Sequence, residues 1–166
     1  MTAVTTSPVT LRYGEPADHA RITDLHDRCS ERTLYRRFHA PLPRTPAGLI
    51  RQTLEPENGW SVVAELDDDL VGLASVGPVS TCDLEVGILV EDAHQGQGIG
   101  TLLLHEVAVD AATRGYRTLL CLTQPDNDAV RGTVARSGLT WRTSVCDGLM
   151  SLVMDLPSGL GLSRSA

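Results

Sequence analysis

The most constraining feature of the sequence is an apolar strand that runs through a glycine-rich loop directly into the start of a helix. The strand spans 84–90, the loop spans 95–100, and the helix begins at Thr101. Glycines at 96, 98 and 100 remove every second side chain, so main-chain N–H groups can close on a ligand. The free N–H groups and the dipole of the following helix favour an anion. The segment is therefore predicted to cradle a diphosphate.

Two better-known phosphate loops do not fit this segment. A Rossmann turn requires glycine where Thr101 stands, and a Walker A loop requires a lysine. The chain contains no lysine, because all fourteen of its basic residues are arginine. A turn that only connects a strand to a helix remains the alternative to a phosphate site.

The spacing that remains is Gln95-x-x-Gly98-x-Gly100, with Glu85 upstream on the preceding strand. This pattern resembles the acetyl-CoA loop of the GNAT family of N-acetyltransferases. A second segment, Asn127 followed eleven residues later by Gly138-Leu139, is similar to that family's strand-helix-strand unit after the loop. The two motifs extend from about 84 to 140, and the order of strands and helices extends the resemblance over most of the chain.

The resemblance implies acetyl-CoA as cosubstrate and no metal. The main chain of Ile88, Leu89 and Val90 would pair with the pantetheine amides, since an open strand edge is a template for such pairing. Asn127 would orient the pantetheine arm, cap its helix, or do both. The diphosphate cradle would comprise Gln95, Gly96, Gln97, Gly98, Ile99, Gly100 and Thr101.

Acetyl transfer to an amine needs a base, because an alkyl ammonium of pKa about 10.4 resists deprotonation at neutral pH by about 4 kcal/mol. Glu85 is the best-placed carboxylate, and the resemblance implies that it acts as the base, directly or through water. Strand alternation places it opposite Leu84, Val86 and Ile88. A solvated strand glutamate and a role for His94 as base are the alternatives.

The sequence departs from the family at the general acid. The family often has a tyrosine seven residues after the asparagine, where this chain has Val134. Thr133 and Ser137 have the wrong acidity to replace it. A thiol of pKa about 8.5 leaves as thiolate at a penalty of only about 2 kcal/mol, so activity does not require that acid. A catalytically silent acetyl-CoA-binding sensor or interaction module stays open as the alternative.

Charge and cysteine content exclude several other classes. Twenty-one acids give a net charge of −7, which argues against nonspecific nucleic-acid binding and is compatible with a cationic substrate. Without lysine, Schiff-base and pyridoxal phosphate chemistry are excluded. Four widely spaced cysteines predict neither a zinc site nor a disulfide framework, and Cys121 is expected in the core. The acidic triplet 67–69 is expected to be a solvated turn rather than a metal site.

The pattern along the chain predicts an α/β protein with a central mixed, mostly antiparallel sheet of about seven strands flanked by helices, as in the GNAT fold. The predicted order is β-α-α-(α)-β-β-β-α-β-α-β-β. Within it, Ser30 is the predicted N-cap of the second helix, the apolar run 118–123 predicts a strand covered on both faces, and Asp147-Gly148 favours a hairpin turn. A single N-acetyltransferase domain is expected over 9–156, with flexible tails at 1–8 and 157–166. Neither a signal peptide nor an apolar run of spanning length is found, so a cytoplasmic protein without membrane contact is expected.

The acceptor is expected to be a small-molecule amine or a protein lysine. The segment 29–38, with Ser30, Tyr35 and the pair Arg37-Phe38, resembles the second helix of acetyltransferase domains in bacterial protein-lysine acetylases. In this fold the first two helices form the side of the active site where the acceptor binds. The C-terminal hairpin could also pair across a homodimer.

Overall fold

The fold is built on one seven-stranded mixed sheet. The computed structural model describes residues 8–158. The strands are β1 (Thr10–Tyr13), β2 (Trp60–Leu66), β3 (Asp69–Pro78), β4 (Asp83–Val90), β5 (Thr118–Thr123), β6 (Thr140–Cys146) and β7 (Leu149–Asp155). They lie in the order β1-β2-β3-β4-β5-β7-β6, and only the β4–β5 pair is parallel. The predicted fold class is confirmed.

Five helices connect these strands in the predicted order. They are α1 (His19–Arg28), α2 (Glu31–Phe38), α3 (Ala47–Leu54), α4 (Ile99–Thr113) and α5 (Asp128–Arg136). Single 3₁₀ turns precede α1 at Pro16–Asp18 and follow β4 at Asp92–His94. The tails expected at 1–8 and 157–166 lie outside the described residues except for Pro8, Pro157 and Ser158. The single-domain extent 9–156 stays a prediction.

Local sequence signals set several of these boundaries. Ser30 caps α2 as predicted, because its hydroxyl accepts a hydrogen bond from the Thr33 N–H at 3.2 Å. The β2–β3 hairpin turns at Asp67 and Asp68, whose φ angles are 49° and 68°. The β6–β7 hairpin likewise turns at positive φ, on the predicted Asp-Gly pair.

The sheet has a hydrophobic core on each face. On one face, α4 packs against β2, β3 and β4 through Leu103, Leu104 and Val107, which are buried. On the other face, α1, α2 and α3 cover the sheet around Ile22 and Ile50. Residues of β4 alternate between the two cores: Leu84 and Val86 belong to the α4 core, whereas Leu89 belongs to the core beneath α1 to α3. Glu85 and Gly87 therefore lie on the face of α1 to α3.

Strand β5 departs from its prediction. Its apolar run predicted a strand covered on both faces, but only Leu119 and Thr123 are fully buried and Leu122 is exposed. Cys121, expected in the core, packs against the core only in part. The reason is that β5 borders a cleft, so one face of its second half is not covered by helices.

The cleft begins where β4 and β5 separate. Their parallel pairing joins Asp83 to Thr118 and ends at Glu85 and Leu120. Residues 86–90 of β4 stay paired with β3 on their other edge, and 121–123 of β5 stay paired with β7. The two strands consequently diverge along the rest of their length and expose main-chain groups between them.

Two further features of the described part of the chain bear on function. No helix within 8–158 is long and apolar enough to cross a bilayer. No group of three or more metal-ligating side chains occurs among the same residues, the acidic turn at 67–69 included.

Asp18 is the centre of an ionic cluster that ties β1 to the start of α1. Its carboxylate accepts two hydrogen bonds from the Arg12 guanidinium, each at 2.7 Å, and one from the Glu15 N–H at 3.0 Å. Arg12 and Arg21 also donate to Glu65, at 3.1 and 2.6 Å. The hydrogen bonds from Arg12 hold the pKa of Asp18 below its ordinary value.

Replacing this carboxylate should destabilise the fold in a pH-dependent way. We expect Asp18→Asn to lower the free energy of unfolding at pH 7 by about 2 kcal/mol, because it removes charged hydrogen bonds from a buried site. The loss is not larger because Arg12, the partner left behind, is partly solvated. The folded pKa lies below the ordinary 3.8, so the stabilisation is complete above 3.8 and is lost as the pH falls through the folded pKa. Urea unfolding at several pH values measures this difference.

The matched control for this prediction is Asp24→Asn, which removes the same charge from an exposed position of α1. The control should change the free energy of unfolding by less than about 0.5 kcal/mol. A difference between wild type and Asp18→Asn that stayed constant from pH 7 to pH 2 would contradict the ionic account.

Candidate active site

The diverging strands open a cleft of about 680 Å³. Its walls come from β4 from Glu85 onward, the glycine loop with the first turn of α4, the end of β5, α5, and both ends of α2. A second cavity of about 260 Å³ lies on the α3 side, lined by Pro56, by residues 75–78 of β3 and by Val79. Three residues line both cavities: Arg37, Glu85 and Gly87.

The glycine loop has the backbone that its sequence predicts. Gly96 and Gly98 adopt φ angles of 74° and 87°, which residues with side chains rarely adopt. A Cβ atom at either position would have no neighbour within 4 Å, so both open to solvent. Gly98 is the N-cap of α4, and the first helical hydrogen bond runs from the Leu102 N–H to the Gly98 carbonyl at 3.0 Å. The amides of 99–101 are thus left without partners inside the helix.

Most residues of the predicted diphosphate cradle lie together along the cleft. The residues of that set that line the cleft are Gln95, Gly96, Gly98, Ile99, Gly100 and Thr101. Gln97 does not line it, because its side chain turns back and donates to the Ala93 carbonyl at 3.2 Å. The predicted pantetheine-binding residues Ile88, Leu89 and Val90 also line the cleft.

Gln95 lines the cleft and also holds the loop in place. Its side-chain amide donates to the Val90 carbonyl at 2.9 Å and to the Thr33 hydroxyl at 3.2 Å. Asp92 adds a stronger link between the loop and α2, because it accepts from the Ser30 hydroxyl at 2.6 Å and from the Ser30 N–H at 2.9 Å. Burial alone would raise the pKa of Asp92, but these bonds and one from Thr33 outweigh it and keep that pKa low.

Two buried oxygen atoms at the cleft have no hydrogen-bond partner among the described residues. They are Oδ1 of Asn127 and the hydroxyl oxygen of Thr101. The Asn127 side chain makes no capping bond to α5, and its Nδ2 donates to the Thr123 hydroxyl at 2.9 Å. Capping by this side chain was one prediction, and it is wrong. A buried acceptor without a donor is costly, so Asn127 suits a ligand that carries an N–H group.

The residues present fit coenzyme A. The cradle offers free amides and positive φ to a diphosphate, and the open strand edge together with Asn127 offers partners to amide groups. Arginines at the cleft, Arg32, Arg36, Arg37 and Arg136, outnumber the acids Glu85 and Asp92, although the chain as a whole is acidic. The local charge therefore favours an anionic ligand.

The two candidate bases occupy different positions. Glu85 is exposed and lies at the point where β4 and β5 separate, lining both cavities. His94 is half-buried and lines only the larger cleft, beside the loop. Val134 is 2% exposed and belongs to the α4 core, so no acidic group replaces the family tyrosine at its position.

The cleft residues that were not predicted as site residues include Arg37, His39 and Cys121. The His39 ring lies 2.8 Å from the Gln124 amide nitrogen, and burial together with the charge of Arg37 lowers the pKa of His39. Burial raises the pKa of Cys121 to about 11, so its thiol is protonated at neutral pH. For Arg37, a sequence signal was available but was not used. Arg37 follows Leu34 by three residues, and this helical spacing places the arginine beside the buried face of α2.

Comparison with known proteins agrees with the fit of the cleft to coenzyme A. The model of the acetyltransferase (GNAT) family matches residues 20–139. Acetyltransferase Pat of Mycolicibacterium smegmatis is 29% identical over 153 residues, which cover 83% of this chain and 45% of that protein. The chain therefore spans about half the length of this curated relative.

Solved structures extend the likeness to the whole fold. The GNAT domain of S. lividans PAT superimposes with a TM-score of 0.81 at 25% identity, covering 89% of this chain and 90% of that domain. The acetyltransferase yncA of Salmonella typhimurium, solved with its cofactor acetyl-CoA, superimposes with a TM-score of 0.70 at 21% identity, covering 95% and 98%. Because the family match runs from α1 through the glycine loop to the end of α5, the chain belongs to the GNAT family of acetyl-CoA-dependent acetyltransferases.

Proposed function

We propose that this chain transfers the acetyl group of acetyl-CoA directly to a primary amine, with Glu85 as the general base. The observation that carries the proposal is the place of Glu85: its side chain lies where β4 and β5 separate, at the junction of the two cavities. A thioester lying between the strands and an amine entering from the smaller cavity would both reach this carboxylate.

The cosubstrate site of the proposal consists of three parts. Main-chain groups of Ile88, Leu89 and Val90 pair with the pantetheine amides, and Asn127 Oδ1 accepts from the same arm. The diphosphate lies on the amides of the first turn of α4. The supporting observations are the strand edge that β5 leaves open beyond Glu85, the partnerless Asn127 oxygen and the positive φ angles of the loop.

The chemistry that Glu85 supplies is removal of one proton. The ammonium loses a first proton to the carboxylate, which passes it on to solvent. The nitrogen then forms a bond to the acetyl carbon, and it loses its second proton to solvent as the carbon–sulfur bond breaks. Exposing the nitrogen lone pair at neutral pH is opposed by about 4 kcal/mol, which a positioned base offsets. The sulfur departs as thiolate and takes a proton from solvent, so Val134 does not prevent turnover.

Two classes of acceptor are compatible with this site. The likeness to acetyltransferase Pat and the resemblance of α2 to bacterial protein-lysine acetylases favour a protein lysine. The 260 Å³ volume of the cavity on the acceptor side favours a small-molecule amine, since it falls below the usual range for drug-sized ligands. The burial of Val134 in place of a tyrosine also favours a second function, binding of acetyl-CoA without turnover.

The cradle can be tested with a matched pair of glycine substitutions. Gly98→Glu should abolish acetyl-CoA binding in calorimetry, because it places a carboxylate and a side chain where the diphosphate would lie. Gly115→Glu is the control: Gly115 also has a φ of 87° and open space around its Cβ, but it follows α4 at the far end from the cleft. Both variants carry the same backbone strain, so equal loss of binding would contradict the assignment of the cradle.

The base can be tested by the pH dependence of turnover. Glu85→Gln should leave the Kd for acetyl-CoA unchanged and lower kcat by about 10²- to 10⁴-fold at pH 7. The deficit should shrink as the pH rises toward the pKa of the amine, because free amine then forms without a base. Release of free CoA from a panel of amines and lysine peptides gives the rates, and Glu106→Gln, a half-buried residue of α4 outside both cavities, is the control.

Full activity of Glu85→Gln from pH 6 to pH 9 would refute Glu85 as the base. Micromolar binding of acetyl-CoA by the wild-type chain, with no CoA released for any acceptor in the panel, would refute the transferase proposal and favour the silent binding module.

A further inference from the structure

Arg37 lies in a notch that exists only because residue 87 is a glycine. A Cβ atom built on Gly87 would overlap the Arg37 Cζ and both of its terminal nitrogens. The guanidinium therefore packs directly against the main chain of β4. Glycine in the middle of a central strand is otherwise unfavourable, so the notch needs a reason.

The guanidinium of Arg37 is not hydrogen-bonded to a carboxylate within the described chain, although the charge of Glu85 acts on it from a distance. Among residues 8–158 the guanidinium makes no hydrogen bond or ion pair, and its recorded contact is with the Phe38 ring, whose centroid lies 5.0 Å from Cζ. Other arginines near the sheet are paired: Arg12 with Asp18, and Arg28 with Glu91 at 3.0 Å. Burial lowers the pKa of Arg37, yet arginine keeps its proton at neutral pH. A half-buried charge without a partner favours an anion that arrives with a ligand.

The phosphates of coenzyme A are not the anion that this position suits. The diphosphate cradle follows the C-terminal end of β4, and three residues, about 10 Å of strand, separate Gly87 from Val90. Arg37 also lines the smaller cavity, which the cradle residues do not reach. Its two companions at the junction of the cavities are Gly87 and the proposed base Glu85.

We infer that the acceptor of this enzyme carries a carboxylate close to its amine, as an amino acid does, and that Arg37 binds this carboxylate while Glu85 takes the proton from the amine. The inference rests on the proposed function and names the substrate class of that site. Opposite charges on the protein, Glu85 and Arg37, line the same small cavity without forming an ion pair with each other, and they match the opposite charges of such an acceptor. A guanidinium is also the side chain best shaped to bind a carboxylate with two parallel hydrogen bonds.

The first test compares acceptors that differ only in the carboxylate. Each amino acid is assayed beside its carboxamide and beside the amine that lacks the carboxyl group. Wild-type kcat/KM should favour the carboxylate by at least tenfold. Arg37→Gln should lower kcat/KM for the carboxylate about 10- to 100-fold, mainly through KM, as expected for the loss of a charged hydrogen bond. The two neutral acceptors should change less than threefold.

Arg51→Gln is the matched control for the first test. It removes the same charge from an exposed position of α3 that lines neither cavity. Arg37→Lys should restore part of the carboxylate preference, because it returns the charge without the forked geometry. A structural role of Arg37 would instead lower kcat/KM for all three acceptors alike.

The second test leaves Arg37 in the sequence and closes its notch. In Gly87→Ala the new methyl group meets the far end of a flexible side chain, which can move away, so the fold should persist. The displaced guanidinium should then lose the carboxylate preference as in Arg37→Gln. Gly48→Ala, whose Cβ has no neighbour within 4 Å, is the control and should keep the preference.

The outcomes separate this inference from the proposed function. If amines are acetylated but a carboxylate gives no advantage, or if Arg37→Gln changes all acceptors equally, the inference is overturned and the transferase proposal stands. If acetyl-CoA binds and no acceptor releases CoA, both fall. Lysine peptides with and without a neighbouring aspartate form the last arm. If only the peptides show a carboxylate preference, and Arg37→Gln abolishes it, the carboxylate that Arg37 binds belongs to a protein acceptor. If free amino acids show the preference, that carboxylate belongs to a small-molecule acceptor.

Discussion

The divergence of β4 from β5 is the constraint on which the rest of the site depends. Two parallel strands normally satisfy each other's main-chain groups, but here the pairing ends at Glu85 and Leu120. The next five residues of β4 keep β3 as their partner on one edge only. Main-chain donors and acceptors left open inside a fold are unfavourable unless something else satisfies them. The divergence therefore both opens the cleft and determines that amide-bearing ligands suit it.

The alternation of β4 divides the site into two sides. Leu84 and Val86 belong to the core under α4, the helix that presents the cradle. Glu85 and Gly87 lie on the other face, beneath α1 to α3, where the smaller cavity opens. In the proposed reaction a single strand thus contributes main-chain groups to one reactant and side chains to the other. Both sides lie on one strand because successive residues of a strand point to opposite faces.

Local signals were enough to predict the fold but only part of the site. The glycine loop, the Ser30 cap and the Asp147-Gly148 turn each depend on residues close in sequence, and each has the predicted conformation. The end of the β4–β5 pairing depends on contacts between distant segments, so the apolar run of β5 was misread as covered on both faces. The same pairing end explains why Cys121 reaches the cleft.

Arg37 was missed for a different reason. Its helical position relative to Leu34 predicts the inner side of α2, but the cost of burying a charge makes a solvent-facing arginine the ordinary expectation. The notch at Gly87 that receives it lies fifty residues away in sequence, and a glycine in a strand does not indicate what packs against it. Asn127 was ambiguous in a similar way, because a helix cap and a ligand contact require the same residue type.

The two sides of the site are also linked through one short helix. Asp92, directly before the loop, is hydrogen-bonded to Ser30 at the start of α2, and Arg37 lies near the end of the same helix. The side chain of Gln95 adds a bond to Thr33 in the first turn. Seven residues of helix rise about 10 Å and bend little, so the main chain of Arg37 has a set position relative to Ser30 and the loop bonded to it. The glycine loop and the helix that carries Arg37 are therefore held together by side-chain hydrogen bonds from Asp92 and Gln95 to the first turn of α2.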